Sequence, residues 1–141
     1  MADTFQGKNF QPKKDWKKKS DTDTMIVSRV PPQNIDAEKS VLGAMMLDKD
    51  AILTAEDLLT PADFYREANA IIFQAILNLS HRGEPADILT VTEELKRMGR
   101  LDDVGGVLYV NELPANVVTT KSVDRHAEIV AGEAKLRRLL D

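Results

Sequence analysis

Near the carboxyl end of the chain a serine and a histidine, and two acids, stand one helical turn apart: Ser122 and His126, Asp124 and Glu128. On a helix the first pair sets a hydroxyl beside an imidazole, as a nucleophile and its base require, and the second sets two carboxylates where they can share a cation. Neither pair has a third group within sequence reach to orient it, and charges at i,i+4 are ordinary on an exposed helix face. This stretch is therefore expected to be surface. His81 stands beside Arg82-Gly83 at what reads as a helix end, where a histidine meets the C-terminal dipole favourably. The acid pairs Glu56-Asp57, Glu93-Glu94 and Asp102-Asp103 read as helix-terminal or surface charge, and Gly105-Gly106 as a turn. No G-x-x-x-x-G-K-[ST] phosphate cradle occurs. Without cysteine there is no disulfide, thiolate zinc site or thiol nucleophile. No catalytic residue, cofactor contact or metal ligand is expected, and this chain, alone, does not read as an enzyme.

With 141 residues the chain accommodates one ordinary domain or a small domain with appendages, and 43% hydrophobic residues suffice for a core. No apolar run approaches the ~18 residues that span a bilayer, and the start of the chain has no apolar leader. A cytoplasmic protein without membrane contact is expected. The net charge of −4 hides a division. Residues 1–30 carry seven basic and four acidic side chains, and the rest carry twelve and nineteen. The basic arm has no helical or strand periodicity and too little apolar surface to offset the entropy of ordering it, so it is expected to be disordered, with the tail ending at residue 28. Lys13-Lys14-Asp15-Trp16-Lys17-Lys18-Lys19 offers charge and an aromatic ring to a nucleic acid. A solubilising tail is the simpler reading, because the acidic body would repel phosphates.

From Arg29 the chain reads as helices. Val30-Pro31-Pro32-Gln33-Asn34 is an extended lead-in. Asn34 or Asp36 can cap a helix carrying Ala37, Val41, Leu42, Met45 and Met46, and Asp48 or Asp50 a second with Ile52, Leu53, Leu58 and Leu59. Thr60-Pro61-Ala62-Asp63 has the pattern of a capped start. Ala68 to Leu79 is apolar nearly all round and belongs in the middle of a bundle, ended by Gly83. Thr90-Val91-Thr92-Glu93 matches a capping box with Thr90 as the cap; Leu95 and Met98 point inward, and Gly99 suits a left-handed end closed by Leu101. Val107-Leu108-Tyr109-Val110 would suit a strand, but no second strand pattern exists to pair with it, so helix is predicted.

The last segment, from Lys121, changes its apolar face part-way. Val123, Ala127, Val130 and Ala134 share one direction on a helical wheel; Ile129, Leu136, Leu139 and Leu140 lie on another. Two faces call for two partners, the second from another helix or another subunit; alternatively the terminal leucines fray in solvent.

Val30-Pro31-Pro32-Gln33-Asn34-Ile35-Asp36-Ala37-Glu38-Lys39-Ser40-Val41-Leu42-Gly43 resembles the start of the DnaB family of bacterial replicative helicases. Asp63-Phe64-Tyr65, Gly83 to Val91, Leu101 to Leu113, Ala127 to Val130 and Leu136 to Leu140 follow in the same register, so the resemblance covers residues 29–141. Arg125-His126 stand where the family commonly has two aromatics, and Val118 where it often has proline. The resemblance implies the family's N-terminal domain, with a RecA-like motor that uses ATP and Mg lying beyond Asp141. It implies an all-α fold: a compact multi-helix head over 29–104, then an antiparallel helical hairpin over 105–141. It further implies subunit pairing in the collar of a hexameric ring and docking of primase, with a helicase loader and, through the whole helicase, DNA as other partners. On this basis Leu42, Met45, Ile72, Phe73, Ile76, Leu79 and Leu95 are expected in the core. Leu136, Leu139 and Leu140 are expected at a self-association surface. Tyr109, Asp36 and Asp103 are expected at a partner contact, where the simpler roles are core packing for the tyrosine and capping or turn formation for the acids. The readings from other classes are a free-standing helical DNA-binding regulator using the basic tail, and a small hydrolase around Ser122 and His126.

Overall fold

The computed structural model describes residues 30–141, and the expectations for the basic tail, including the Trp16 segment, lie outside the described residues. Residues 32–141 form one unit of six helices with no strand among the described residues. Helix α1 is Ile35–Leu47, α2 Lys49–Leu58, α3 Glu67–His81, α4 Ile88–Met98, α5 Gly106–Ala115 and α6 Val123–Leu140. Single 3-10 turns at Pro61–Asp63 and Asp102–Val104 connect α2 to α3 and α4 to α5.

Local chemistry sets most boundaries. The Asn34 side chain accepts the Ala37 amide at 2.9 Å to start α1, and Asp48 accepts the Asp50 amide at 2.9 Å to start α2. Pro61 opens a 3-10 turn rather than a full helix, and Asp63 accepts the Thr60 amide at 2.9 Å. Gly83 (φ 77°) and Gly99 (φ 71°) take the left-handed conformation that ends α3 and α4. The start of α4 differs from the expected one. Its cap is Asp87, and Thr90 is the third helical residue, returning its hydroxyl to the Asp87 amide at 2.8 Å. An aspartate three residues upstream outcompetes the threonine, and Glu93 is left to pair with Lys96 on the surface. Val107 to Val110 are helical, and Pro114 lies in the final turn of α5.

Leu42, Met45, Ile72, Phe73, Ile76, Leu79 and Leu95 are all buried. Helix α3 is buried on most sides, but the helix that contacts α2, α3, α5 and α6 is α1. Six consecutive α1 residues, Val41 to Met46, are buried, which requires neighbours all around the helix. Gly43 makes this possible. A β-carbon there would collide with the Leu113 carbonyl oxygen of α5 and the Val117 side chain just beyond it. Helices α5 and α6 each pack against α1, α6 adds α2, and their main packing is not on each other. Val110 and Leu113 of α5, and Val123, Ala127, Val130 and Ala134 of α6, go into the same core as the other helices, so the 104/105 boundary separates no packing unit.

Glu94 joins α4 to the end of α3. Its buried carboxylate accepts from Arg82 Nη2 at 2.8 Å, Asn78 Nδ2 at 3.0 Å and Arg97 Nε at 3.2 Å. The Arg82 hydrogen bond, opposed by burial and aided by Arg97 and Asn78, holds its carboxyl at about 2, well below the ordinary 4.5. The same contact pushes the Arg82 guanidinium up.

Gly43→Ala forces α5 away from α1 and is expected to lower stability by about 1–3 kcal/mol, read as a lower thermal midpoint with helical content kept. The Glu94 contribution has the sign of a depressed carboxyl: present above the ordinary value of 4.5 and lost as pH falls toward 2. Glu94→Gln is expected to remove that part of the acid-induced fall in urea melts, and to cost about 1–2 kcal/mol at neutral pH.

Candidate partner-docking surface

Tyr109 projects from α5 onto a polar network centred on α1. Glu38, 1% exposed, accepts the Tyr65 amide at 2.6 Å, the Arg66 amide at 3.3 Å and Asn69 Nδ2 at 2.9 Å. Arg66 is the residue before α3 and its side chain makes no capping bond, so Glu38 caps α3 from another helix. The Tyr109 hydroxyl donates to the buried Asn69 Oδ1 at 2.6 Å and accepts from Arg66 Nη1 at 3.2 Å. Lys39 Nζ and the Arg66 guanidinium each lie 5.7 Å from the ring centroid, and Lys39 also reaches Glu112 at 3.5 Å. Tyr109 is thus half-buried, with its polar end spent inside the molecule and its ring flanked by two cations.

Asp36 is exposed in the first turn of α1 and shares a surface hollow with Lys39, Ser40 and Asn116. Through Lys39 the fold brings Asp36 and Tyr109 to one side of α1. Asp103 is held apart from them: its carboxylate takes Arg100 Nε at 2.6 Å, and Arg100 reaches Glu67 of α3 at 3.3 Å. It is exposed, and it closes the turn before α5.

The three leucines stand on the last turns of α6. Leu139 and Leu140 are each 73% exposed and Leu136 48%, while the other face of the helix is in the core. Fraying is opposed by two arginines between them. Arg137 donates to the Pro32 carbonyl at 2.8 Å and the Asp63 carbonyl at 2.7 Å, and its guanidinium lies 5.4 Å from the Tyr65 ring centroid. Arg138 pairs with the Asp63 carboxylate at 3.1 Å. The helix end is therefore pinned to the 3-10 turn, with its leucines turned outward.

The residues first considered for chemistry are placed otherwise. Ser122 and His126 are joined by a backbone bond, the His126 amide to the Ser122 carbonyl at 3.0 Å, and among the described residues no side-chain bond links them. No group of three or more metal-ligating side chains occurs among the described residues. No described helix is long and apolar enough to cross a membrane. His81 Nε2 lies 2.6 Å from Glu56 Oε2, a surface link between α3 and α2. Glu38 and Asn69 were not singled out from sequence. The only signal was a glutamate on the inward side of α1 and an asparagine in an otherwise apolar stretch, and their partners lie some thirty residues away.

The family described as DnaB-like helicase N terminal domain matches residues 30–132. The chain is 47% identical over 116 residues to the replicative DNA helicase DnaB of Geobacillus stearothermophilus, covering 82% of this chain and 26% of that protein. The chain thus spans about a quarter of the length of this curated relative. Its fold is similar to the N-terminal domain of DnaB helicase from Mycobacterium tuberculosis, with TM-score 0.76, 49% identity and coverage of 78% and 80% of the two chains. It is also similar to the N-terminal domain of the Helicobacter pylori DnaB helicase, described with its interactions with primase, at TM-score 0.62, 18% identity and coverage of 83% and 89%. The continuous match, and an all-helical fold shared at nearly half identity, show that the chain belongs to the DnaB-like helicase N-terminal domain family.

Proposed function

We propose that this chain is the N-terminal scaffold and interaction domain of a hexameric replicative DNA helicase. Residues 29–104 form most of its body and residues 105–141 carry the pairing surface. The longer protein unwinds duplex DNA in a bacterial cytoplasm with ATP and Mg. The domain pairs with copies of itself in the collar of the ring and docks primase; a helicase loader is a further partner. The observation that carries this reading is the end of α6. A helix pinned by Arg137 and Arg138 presents Leu136, Leu139 and Leu140 to solvent without frayed backbone. An ordered apolar edge of this kind is disfavoured on a surface unless a partner covers it, and an isologous contact lets one copy's leucines meet another's.

For primase, supporting features are Asp36 and the Tyr109 ring on one side of α1, and the primase interactions described for the Helicobacter pylori domain of the same fold. Asp36 is an exposed acid for a basic patch. Asp103, already paired with Arg100, gives less charge to a partner.

Leu139→Asp is expected to convert a dimer to monomer in sedimentation or light scattering with helical content unchanged, since the side chain is exposed; an unchanged mass sinks the pairing. Asp36→Lys is expected to weaken binding of a bacterial primase several-fold, mainly through a slower, salt-dependent association rate, with the helical content kept and only a small fall in thermal midpoint from the charge reversed in the first turn of α1. Equal association rates at low salt remove Asp36 from the contact.

A further inference from the structure

The ends of α1 and α3 away from Glu38 and Tyr109 open on a second surface that the pairing and primase reading leaves unused. A hollow of about 550 Å³ is floored by Met45, Met46, Leu47, Ile52, Leu53 and Ala86. A second hollow shares Met46, Leu47 and Asp87 with it and extends over Ile88, Leu89 and Pro114. Within this depression Leu47, Leu53 and Leu89 are 54%, 57% and 70% exposed, although they belong to three different helices or helix starts. A contiguous apolar floor built from several elements differs from scattered surface leucines and marks an interaction site.

The rim is negative. Asp48, Glu84 and Asp87 line it against a single base, Lys49. Glu84 is neutralised in part by Arg82 at 3.3 Å. Asp48 and Asp87 bind backbone amides as helix caps and, among the described residues, pair with no cation. Helix α1 ends here with no basic residue in its last turn, so its C-terminal carbonyls add negative potential, while the starts of α2 and α4 take up part of the Asp48 and Asp87 charge. Leu47 lies nine residues along α1 from Glu38, about 13 Å at the rise of an α-helix, so this surface is distinct from the Tyr109 side.

We propose that this groove docks a cationic amphipathic helix of another protein. Leucine-sized anchors at i, i+3 or i+4 and i+7 fill the floor between Leu47, Leu53 and Leu89, and flanking lysine or arginine side chains meet Asp48, Asp87 and the carbonyl end of α1. The site is independent of whether α6 pairs.

The probe is a labelled 18-residue helical peptide with leucines on one face and lysines on the other, titrated against the full chain by fluorescence anisotropy. Its control carries glutamate for lysine. The lysine peptide is expected to bind saturably, to weaken with rising salt, and to shift the amide resonances of Leu47, Leu53 and Leu89. The double variant Leu53→Ser/Leu89→Ser is expected to weaken it at least about tenfold, Asp87→Asn several-fold with the helix cap kept, and Leu139→Ser not at all. Equal binding of the glutamate peptide, resonance shifts confined to another face, or undiminished affinity of the double variant overturns the proposal. So does loss of self-association in the double variant, which makes the groove a contact between copies. An unchanged mass for Leu139→Asp overturns the pairing reading alone.

Discussion

The carboxylate of Glu38 lies almost wholly inside an all-helical core, and three neutral N–H groups from outside its own helix make that tolerable. An unpaired buried charge is among the costliest features a small domain can carry. Here two of the donors are backbone amides at the start of α3, where the helix dipole is positive and no local side chain caps the end. The third, Asn69, is fixed by the same carboxylate so that its own oxygen faces the Tyr109 hydroxyl. One side chain of α1 therefore sets the approach of α3 and, through Asn69, the seat of α5. Removing it leaves several buried donors without partners at once, which is why so much of the architecture is referred to this point.

Close approach around α1 is the second constraint, and it works with the first. Gly43 lets α5 come up against α1 with backbone nearly in contact, while Glu38, one turn earlier, holds α3 on another side. With α1 enclosed, the later helices have their faces decided for them. Helix α6 sends Val123, Ala127, Val130 and Ala134 inward and is left with Leu136, Leu139 and Leu140 outside. Arg137 and Arg138 then tie that outer end to the Asp63 turn, so exposed leucines sit on a rigid support. A preorganised surface of this kind loses little entropy when a partner covers it.

Charge is distributed along the same lines. Cations cluster around the Tyr109 ring and the end of α6, and three acids gather with a single lysine where α1 ends. The ion pair at Glu94 sits between α3 and α4 and stabilises their packing, and its Arg82 also reaches Glu84 at the rim of the groove. The domain thus presents chemically different faces at its ends.

The sequence by itself determined the all-α class, the ends of most helices, the buried apolar set and the two faces of α6, because each follows from signals within one or two turns: a cap, a left-handed glycine, a period of 3.6. The capping box at α4 shows the limit of that reasoning, since two overlapping patterns competed and only geometry chose Asp87 over Thr90. What the tertiary structure decided are the relations between residues far apart in the chain. Glu38 is an ordinary helix glutamate until the start of α3, about thirty residues on, is folded against it. The apolar stripes of the last two helices are legible in sequence, but that both rest on α1 is not. Leu53 and Leu89 are unremarkable singly and line two hollows that meet at Met46 and Leu47 only once the helices are folded together. Periodicity reports which face of a helix is buried, and it carries no information about which other segment buries it.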